Sequence, residues 1–156
     1  MSTVPEPPYD GGCLCGAVRY RVTTKPLTLY ACHCTDCQRQ TGSSFVLSMI
    51  VLADAVELLR GQPATFSTTT ADGIPKQSRF CGDCGSRLWG EPPKYPEIKV
   101  VRPGSLDATS WIVPVGHIWT RSAQPWITYA EDAVCSPTQP EDPMAMIHAW
   151  RERHGA

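Results

Sequence analysis

The sequence predicts a single, mainly β domain in which cysteine-bound metal supplies part of the stability. Several short segments alternate apolar and polar residues, as strands with one buried face do. The 15 prolines and 12 glycines are spread along all 156 residues, which favours many short elements joined by turns. Seven of the eight cysteines fall into three groups with metal-ligand spacing.

The strand predictions follow from these segments in chain order. Residues 17–23 (AVRYRVT) alternate apolar side chains with two arginines. Residues 57–60 and 64–70 flank a Gly-Gln-Pro turn, and this arrangement predicts a hairpin. Further predicted strands cover residues 27–31, 45–51, 87–89, 98–101, 111–115 and 117–119.

The two ends of the chain differ in character from its middle. Residues 1–10 (MSTVPEPPYD) are rich in proline and predict a flexible arm before the cysteine-containing domain at residues 11–140. Residues 141–156 predict the only helix, with Asp142 as its cap and Pro143 at its first position.

Composition excludes several functional classes. The formal net charge of −1 gives no overall field that would favour nucleic acid or anionic membranes. No segment approaches the run of about 18 apolar residues that a membrane-spanning helix needs. The N-terminus has neither the basic nor the apolar region of a secretory signal, so we expect a cytoplasmic protein. Cysteines in that reducing compartment bind metal more readily than they form disulfides.

One predicted metal site is structural. Cys81 and Cys84 stand three positions apart between glycines, a spacing that lets two thiolates converge on one ion. Cys13 and Cys15 project from the same side of an extended segment, so they are the expected partner pair. Four such ligands predict a closed tetrahedral zinc site. Four metal-free thiols and an iron site are the weaker alternatives.

The second predicted site is open. Cys32, Cys34 and Cys37 supply three ligands, and catalytic zinc sites commonly have three protein ligands and one free position. The alternative is a second structural zinc that a fourth residue closes. The candidates for that ligand are His33, His117, Asp36 and Cys135. Cys135 stands apart from the groups and otherwise predicts an inert packing residue.

The ordered cysteine groups resemble the glutathione-dependent formaldehyde-activating (GFA) family, which includes centromere-protein-V-like members. The matching segments are GGCLCGAVRY, YACHCTDCQRQTGSSF, FCGDCGSRLWG, PGSLD and GHIWTRSAQPWITYAEDA. The resemblance implies an Mss4-like fold of small antiparallel sheets with zinc knuckles. It also implies two Zn²⁺ ions, a structural one on Cys13, Cys15, Cys81 and Cys84 and a catalytic one on Cys32, Cys34 and Cys37.

The resemblance also implies a reaction. We expect a zinc-dependent carbon–sulfur lyase that forms and cleaves an S-(hydroxymethyl)glutathione-like adduct of a thiol and an aldehyde. The alternative function is a non-catalytic zinc module that binds a protein or nucleic-acid partner. A fourth ligand at the second zinc would favour that alternative.

Cations are expected around the catalytic cysteines because glutathione carries two carboxylates. Family members usually have arginine directly after the third cysteine of this group, but this chain has Gln38 there, and Arg39 follows. Arg39 is therefore the first candidate for substrate binding, ahead of Arg79 and Lys76. His117 and Trp126 are expected to pack in the core, and the alternative for both is contact with the substrate.

Overall fold

A computed structural model describes residues 3–70 and 73–155 of the chain. Within them the predicted mainly β fold is confirmed: two sheets account for most of the regular structure. The strands are β1 (Tyr9–Gly12), β2 (Arg19–Val22), β3 (Thr28–Cys32), β4 (Val46–Leu52), β5 (Val56–Arg60), β6 (Ala64–Thr69), β7 (Pro75–Phe80), β8 (Arg87–Glu91), β9 (Ile98–Val101), β10 (Gly116–Ile118) and β11 (Val134–Cys135). The helices are α1 (Thr35–Thr41) and α2 (Ala145–His154). Residues 1, 2 and 156, from the two predicted terminal segments, lie outside the described residues.

The smaller sheet has three strands in the order β1-β2-β5, all antiparallel. Its central strand alternates as the sequence predicts, with Tyr20 and Val22 fully buried and the two arginines partly exposed. Tyr20 meets Trp89 of the larger sheet edge to face, with ring centroids 5.4 Å apart. This aromatic contact joins the two sheets through the core.

The larger sheet has eight strands in the order β11-β10-β3-β4-β9-β8-β7-β6. Strand β10 runs parallel to both of its neighbours, and the remaining pairs are antiparallel. Leu29, Met49 and Val101 are fully buried on the core face. The alternate residues of the same strands, among them Tyr30 and Ser48, project from the opposite face. The three-residue 3₁₀ turns at 53–55, 103–105 and 120–122 connect the strands.

Several predicted strand assignments were wrong. The segments at 57–60 and 64–70 form strands, but they do not form a hairpin. Instead β5 pairs with β2 in the small sheet and β6 pairs with β7 in the large one. Residues 111–115 form turns and irregular structure, although the segment is apolar, and Trp111 and Val115 are buried without belonging to a strand. Strand β7 was not predicted, because its sequence PKQSRF shows little apolar alternation.

The prediction of a single helix was also wrong, since α1 covers Thr35–Thr41. Seven residues are too few to display a 3.6-residue period. The C-terminal helix begins at Ala145, after the predicted first position at Pro143, but Asp142 still accepts a hydrogen bond from the Met144 amide at 2.8 Å. The predicted N-terminal arm leads into a strand, because β1 begins at Tyr9.

Helix α2 packs on the large sheet through Met146 and Trp150, both of which are buried. The Thr28 hydroxyl donates a 2.7 Å hydrogen bond to the Met146 carbonyl and so ties the helix to β3. Neither helix in the described residues has the length and apolarity to cross a membrane.

Gly116 lies where β10, β11 and α2 approach each other. A Cβ atom there would stand 2.4 Å from the Val134 carbonyl oxygen and 2.7 Å from the Met146 sulfur. We therefore predict that Gly116→Ala lowers the free energy of unfolding by about 1–3 kcal/mol. Gly104→Ala is the matched control, because its Cβ would meet nothing within 4 Å. Urea unfolding of both variants tests this, and equal stabilities would contradict the close contact.

Candidate metal centres

Two tight turns from different sheets bring four cysteines together. Cys13 and Cys15 lie in the turn after β1, and Cys81 and Cys84 lie in the turn between β7 and β8. The four sulfur atoms lie within 4.8 Å of one another, and Cys15 Sγ stands 3.7 Å from Cys81 Sγ. We call this set the four-sulfur group. Its size and composition fit a tetrahedral all-thiolate metal site.

Hydrogen bonds to sulfur atoms of the four-sulfur group stabilise the negatively charged thiolate form. The Val18 amide donates to Cys13 Sγ at 3.2 Å. The Ser86 hydroxyl lies 3.2 Å from Cys84 Sγ, and hydrogen bonds from Ser86 lower the pKa of Cys84 to about 5. Gly85 adopts a left-handed conformation with φ 76°, which lets the turn close. Donors to the sulfurs are typical of thiolates that bind a metal.

A second group, the three-sulfur group, forms where β3 runs into α1. Cys32 ends the strand, Cys34 caps the helix, and Cys37 lies one turn along it. The Cys37 amide donates to Cys34 Sγ at 3.2 Å, and Cys37 Sγ stands 3.5 Å from Cys32 Sγ. Hydrogen bonds from Cys32 and Cys37 lower the pKa of Cys34, whereas the bond to Cys34 raises the pKa of Cys32. The three sulfurs can therefore hold a metal ion.

No fourth ligand joins the three-sulfur group among residues 3–70 and 73–155. His33 is fully buried, and its Nε2 shares a 2.9 Å hydrogen bond with Nδ1 of His117. Asp36 and Cys135 are both exposed and also lie outside the group. The predicted packing role of Cys135 was therefore wrong. Cys32, Cys34 and Cys37 thus form a set of three possible ligands, and the open catalytic site expected there stays a prediction.

The three-sulfur group opens onto a cavity of about 740 Å³, which we call the cleft. Its floor is the outer face of the large sheet, with Tyr30, Ser48 and Ile50 among the lining residues. Its walls come from α1, the segment before α2, residues 92–95, and Thr70 and Ile74 between β6 and β7. The volume lies within the range that small-molecule sites occupy.

Four cationic residues line the cleft, and three of them were missed by the sequence analysis. Lys76 was among the predicted candidates and does line it, together with Lys94, Arg102 and Arg121. These positions become neighbours only through the register of the sheet and the folding of its loops. The position of Arg102 could have been predicted from the sequence. It directly follows β9, and strand alternation places it on the same face as Val100, which also lines the cleft.

The two predicted arginines lie elsewhere. Arg39 is exposed on α1 and is not among the residues that line the cleft. Arg79 Nη2 donates a 2.9 Å hydrogen bond to a carboxylate oxygen of Glu91. Its Nη1 donates to the Thr65 hydroxyl. Arg79 is therefore held in an ion pair on the sheet.

Gln38, the residue directly after Cys37, is held by hydrogen bonds to the surrounding backbone and side chains. Its amide nitrogen donates to the carbonyl oxygens of His33 at 2.8 Å and Ser122 at 2.9 Å. Its amide oxygen accepts from Gln124 at 3.1 Å. The side chain thus fastens α1 to the segment after β10.

Trp119 lines the cleft in an unusual backbone conformation. Its φ of 59° is left-handed, and such a conformation costs a bulky residue about 1–3 kcal/mol. The guanidinium carbon of Arg121 lies 4.8 Å from the centre of its ring, which is a cation–π geometry. Trp126, by contrast, is 65% exposed, so its predicted packing in the core was wrong.

Comparisons with known proteins agree on one family. The family described as glutathione-dependent formaldehyde-activating enzyme has a model that matches residues 8–122. A provisionally named glutathione-dependent formaldehyde-activating enzyme of Halomonas elongata is 26% identical over 147 residues, 90% of this chain and 94% of the relative.

Two further proteins are similar over shorter regions. An uncharacterized lyase of Schizosaccharomyces pombe is 28% identical over 83 residues, 53% of this chain and 57% of its own length. A crystal structure of a Rhodobacter sphaeroides protein covers 64% of this chain and 88% of its own, with a TM-score of 0.50 and 21% identity. That likeness concerns the fold alone.

Cys81→Ser should unfold or insolubilise the protein, because the free energy of metal binding to four distant ligands is also folding free energy. Cys34→Ser should stay folded and lose one metal equivalent. Cys135→Ser is the matched control, because Cys135 is exposed and belongs to neither group. Thermal melts and metal analysis of the three variants test this. A Cys81→Ser protein that melts at the wild-type temperature would contradict a structural role.

Proposed function

The chain belongs to the glutathione-dependent formaldehyde-activating family, and we propose that it is a carbon–sulfur lyase that interconverts glutathione, formaldehyde and their S-hydroxymethyl adduct. The name of the Schizosaccharomyces pombe relative, a lyase, is consistent with this reaction class. The three-sulfur group at the end of a large cleft carries the proposal. A binding module would need neither the incomplete ligand set nor the enclosed volume.

The donor sets suit two zinc ions. Four sulfurs with amide and hydroxyl donors would hold a structural ion, and the three-sulfur group would hold the second with one position left for substrate. Zinc bound there supplies the positive charge that lets a thiol lose its proton near neutral pH. The cysteines contribute the ligand charge and fix where the substrate sulfur lies.

The reaction needs no redox partner. In the synthetic direction the thiolate sulfur donates an electron pair to the carbonyl carbon, a carbon–sulfur bond forms, and the oxygen takes up a proton. In the reverse direction the hydroxyl loses that proton, the carbonyl re-forms, and the sulfur leaves with the bonding pair. The cleft would place both reactants together, which is the main contribution that orientation makes to such a bimolecular step.

Cations in the cleft would bind the carboxylates of the tripeptide. Lys76 is half-buried, while Lys94 and Arg121 are exposed at the rim. None of the three takes part in an ion pair recorded for the described residues, so each is available to a substrate. Arg39 remains a candidate only if the substrate extends beyond the cleft onto α1.

Ligand exchange at the three-sulfur group can be observed with cobalt in place of zinc. Adding millimolar glutathione should change the thiolate-to-metal absorption of one of the two ions, because only one site has a free position. Cys37→Ser should abolish this response and leave the absorption of the four-sulfur group. A wild-type spectrum that does not respond to thiols would show that the second site is closed.

The reaction itself requires a kinetic test, because thiols and formaldehyde combine without a catalyst. Exchange NMR on an equilibrium mixture of glutathione, formaldehyde and adduct should show faster exchange with wild type than with buffer. Cys34→Ser should return exchange to the buffer rate. Lys76→Ala should weaken apparent glutathione binding with a smaller effect at saturation, since a carboxylate contact is made equally in ground and transition states.

Arg39→Ala is the matched control for that cation. Because Arg39 does not line the cleft, its substitution should have a smaller effect on glutathione binding than Lys76→Ala. Equal exchange rates for wild type, Cys34→Ser and buffer would refute the proposed reaction.

A further inference from the structure

Three polar side chains form an array on the floor of the cleft, beside the three-sulfur group. Tyr30 and Ser48 are direct partners in the antiparallel register of β3 and β4, so their side chains project from the same face. Arg102 Nη1 donates a 3.1 Å hydrogen bond to the Ser48 hydroxyl. All three residues line the cleft. We call them the floor array.

Arg102 brings a positive charge to this array without a carboxylate partner. Among the described residues, none of the recorded ion pairs includes Arg102. Burial lowers the pKa of this guanidinium. A partly buried cation is costly unless negative charge offsets it. Negative charge that forms on a reactant bound in the cleft would supply this offset.

Tyr30 adds a hydrogen-bond donor beside that charge. Its phenol lines the cleft on the same face of the sheet as the Ser48 hydroxyl. It can donate to an oxygen in the cleft, and it is a poor general base.

We propose that Arg102, oriented by Ser48 and assisted by Tyr30, holds the aldehyde oxygen while the substrate sulfur bonds to the adjacent carbon. This inference rests on the proposed function and extends it. It makes Arg102 a catalytic residue and Ser48 a positioning residue.

The position of the array distinguishes this role from carboxylate binding. The reacting oxygen is bonded to the carbon that joins the sulfur, so it must lie next to the substrate sulfur. The carboxylates of glutathione are several bonds farther from that sulfur. Cys32 follows Tyr30 on the cleft face of β3, and Arg102 is bonded to Ser48, the cross-strand partner of Tyr30. Arg102 is therefore placed for the oxygen, whereas the rim cations are placed for the carboxylates.

The floor array stabilises the negative charge that develops on the aldehyde oxygen as the carbon–sulfur bond forms. As the sulfur electron pair forms the carbon–sulfur bond, the π pair of the carbonyl moves onto oxygen. Donors already aimed at that oxygen stabilise the charge without having to reorganise. The oxygen then takes a proton from water, which balances the proton lost earlier by the thiol. The reverse step returns both protons and regenerates the aldehyde.

Arg102→Gln tests the proposal in the full-length, zinc-loaded protein. Exchange NMR at saturating glutathione and formaldehyde should slow by about 100-fold, the loss typical of removing one such donor. Glutathione affinity, followed by absorption of the cobalt-substituted protein, should stay within about threefold of wild type, because the contact forms mainly in the transition state. Arg102→Lys should recover part of the rate, since it keeps the charge but loses the planar fork.

Arg87→Gln is the matched control. Arg87 is also half-buried, but it does not line the cleft. We expect its exchange rate to stay near that of wild type. Should Arg102→Gln fail to fold, Tyr30→Phe gives a second measurement, with an expected loss of about tenfold at saturation and unchanged glutathione affinity.

Four results would overturn the proposal. Weaker glutathione affinity with a normal rate at saturation would make Arg102 a carboxylate ligand. An equal loss in Arg87→Gln and Arg102→Gln would make the effect one of general positive charge. Unchanged exchange in both Arg102→Gln and Tyr30→Phe would remove the array from the reaction while leaving the proposed function intact. A wild type no faster than Cys34→Ser would instead refute the proposed function, and this inference with it.

Discussion

The convergence of four sulfurs from two distant turns is the constraint on which the rest of the structure depends. Cys15 and Cys81 are separated by 66 positions, so a metal held between them closes a long loop and restrains the unfolded chain. The same contact fixes the small sheet against the end of β7, and β7 carries Lys76 into the cleft. The contact between Tyr20 and Trp89 continues this junction into the apolar core.

The large sheet contributes to both the core and the cleft, because successive side chains of each strand project from opposite faces. In β3 the side chains of Leu29 and Ala31 are fully buried on the core face, whereas Tyr30 and Cys32 face the cleft. A shift of one residue in register would exchange these sets, placing a tyrosine and a ligand in the core. The packing of the core thus also fixes the position of the three-sulfur group on the opposite face.

The cysteine groups could be predicted from the sequence, whereas most of the cleft could not. The spacing of possible metal ligands is a local property, so the two cysteine pairs and the group of three cysteines can be recognised along the chain. The family resemblance then assigned each of them to a metal site. Strand partners are not local: β5 and β6 have the pattern of a hairpin but join different sheets. Helix α1 is too short for periodicity, and its capping group is the sulfur of Cys34, an atypical residue for that position. Arg102 becomes a neighbour of Tyr30 only once β3, β4 and β9 are aligned.

The electrostatics of the cleft show why overall charge carries so little information about this site. If the three-sulfur group held a dication, three thiolates would leave a net charge of −1, and an incoming thiolate would bring it to −2, a state that a partly dehydrated site tolerates only beside cations. The chain has a formal net charge of −1, which gives no indication of such a region. Among the described residues that line the cleft, however, four are cations and two, Asp36 and Glu91, are acidic, and Glu91 is already paired with Arg79. This part of the lining therefore carries more positive than negative charge beside the three-sulfur group.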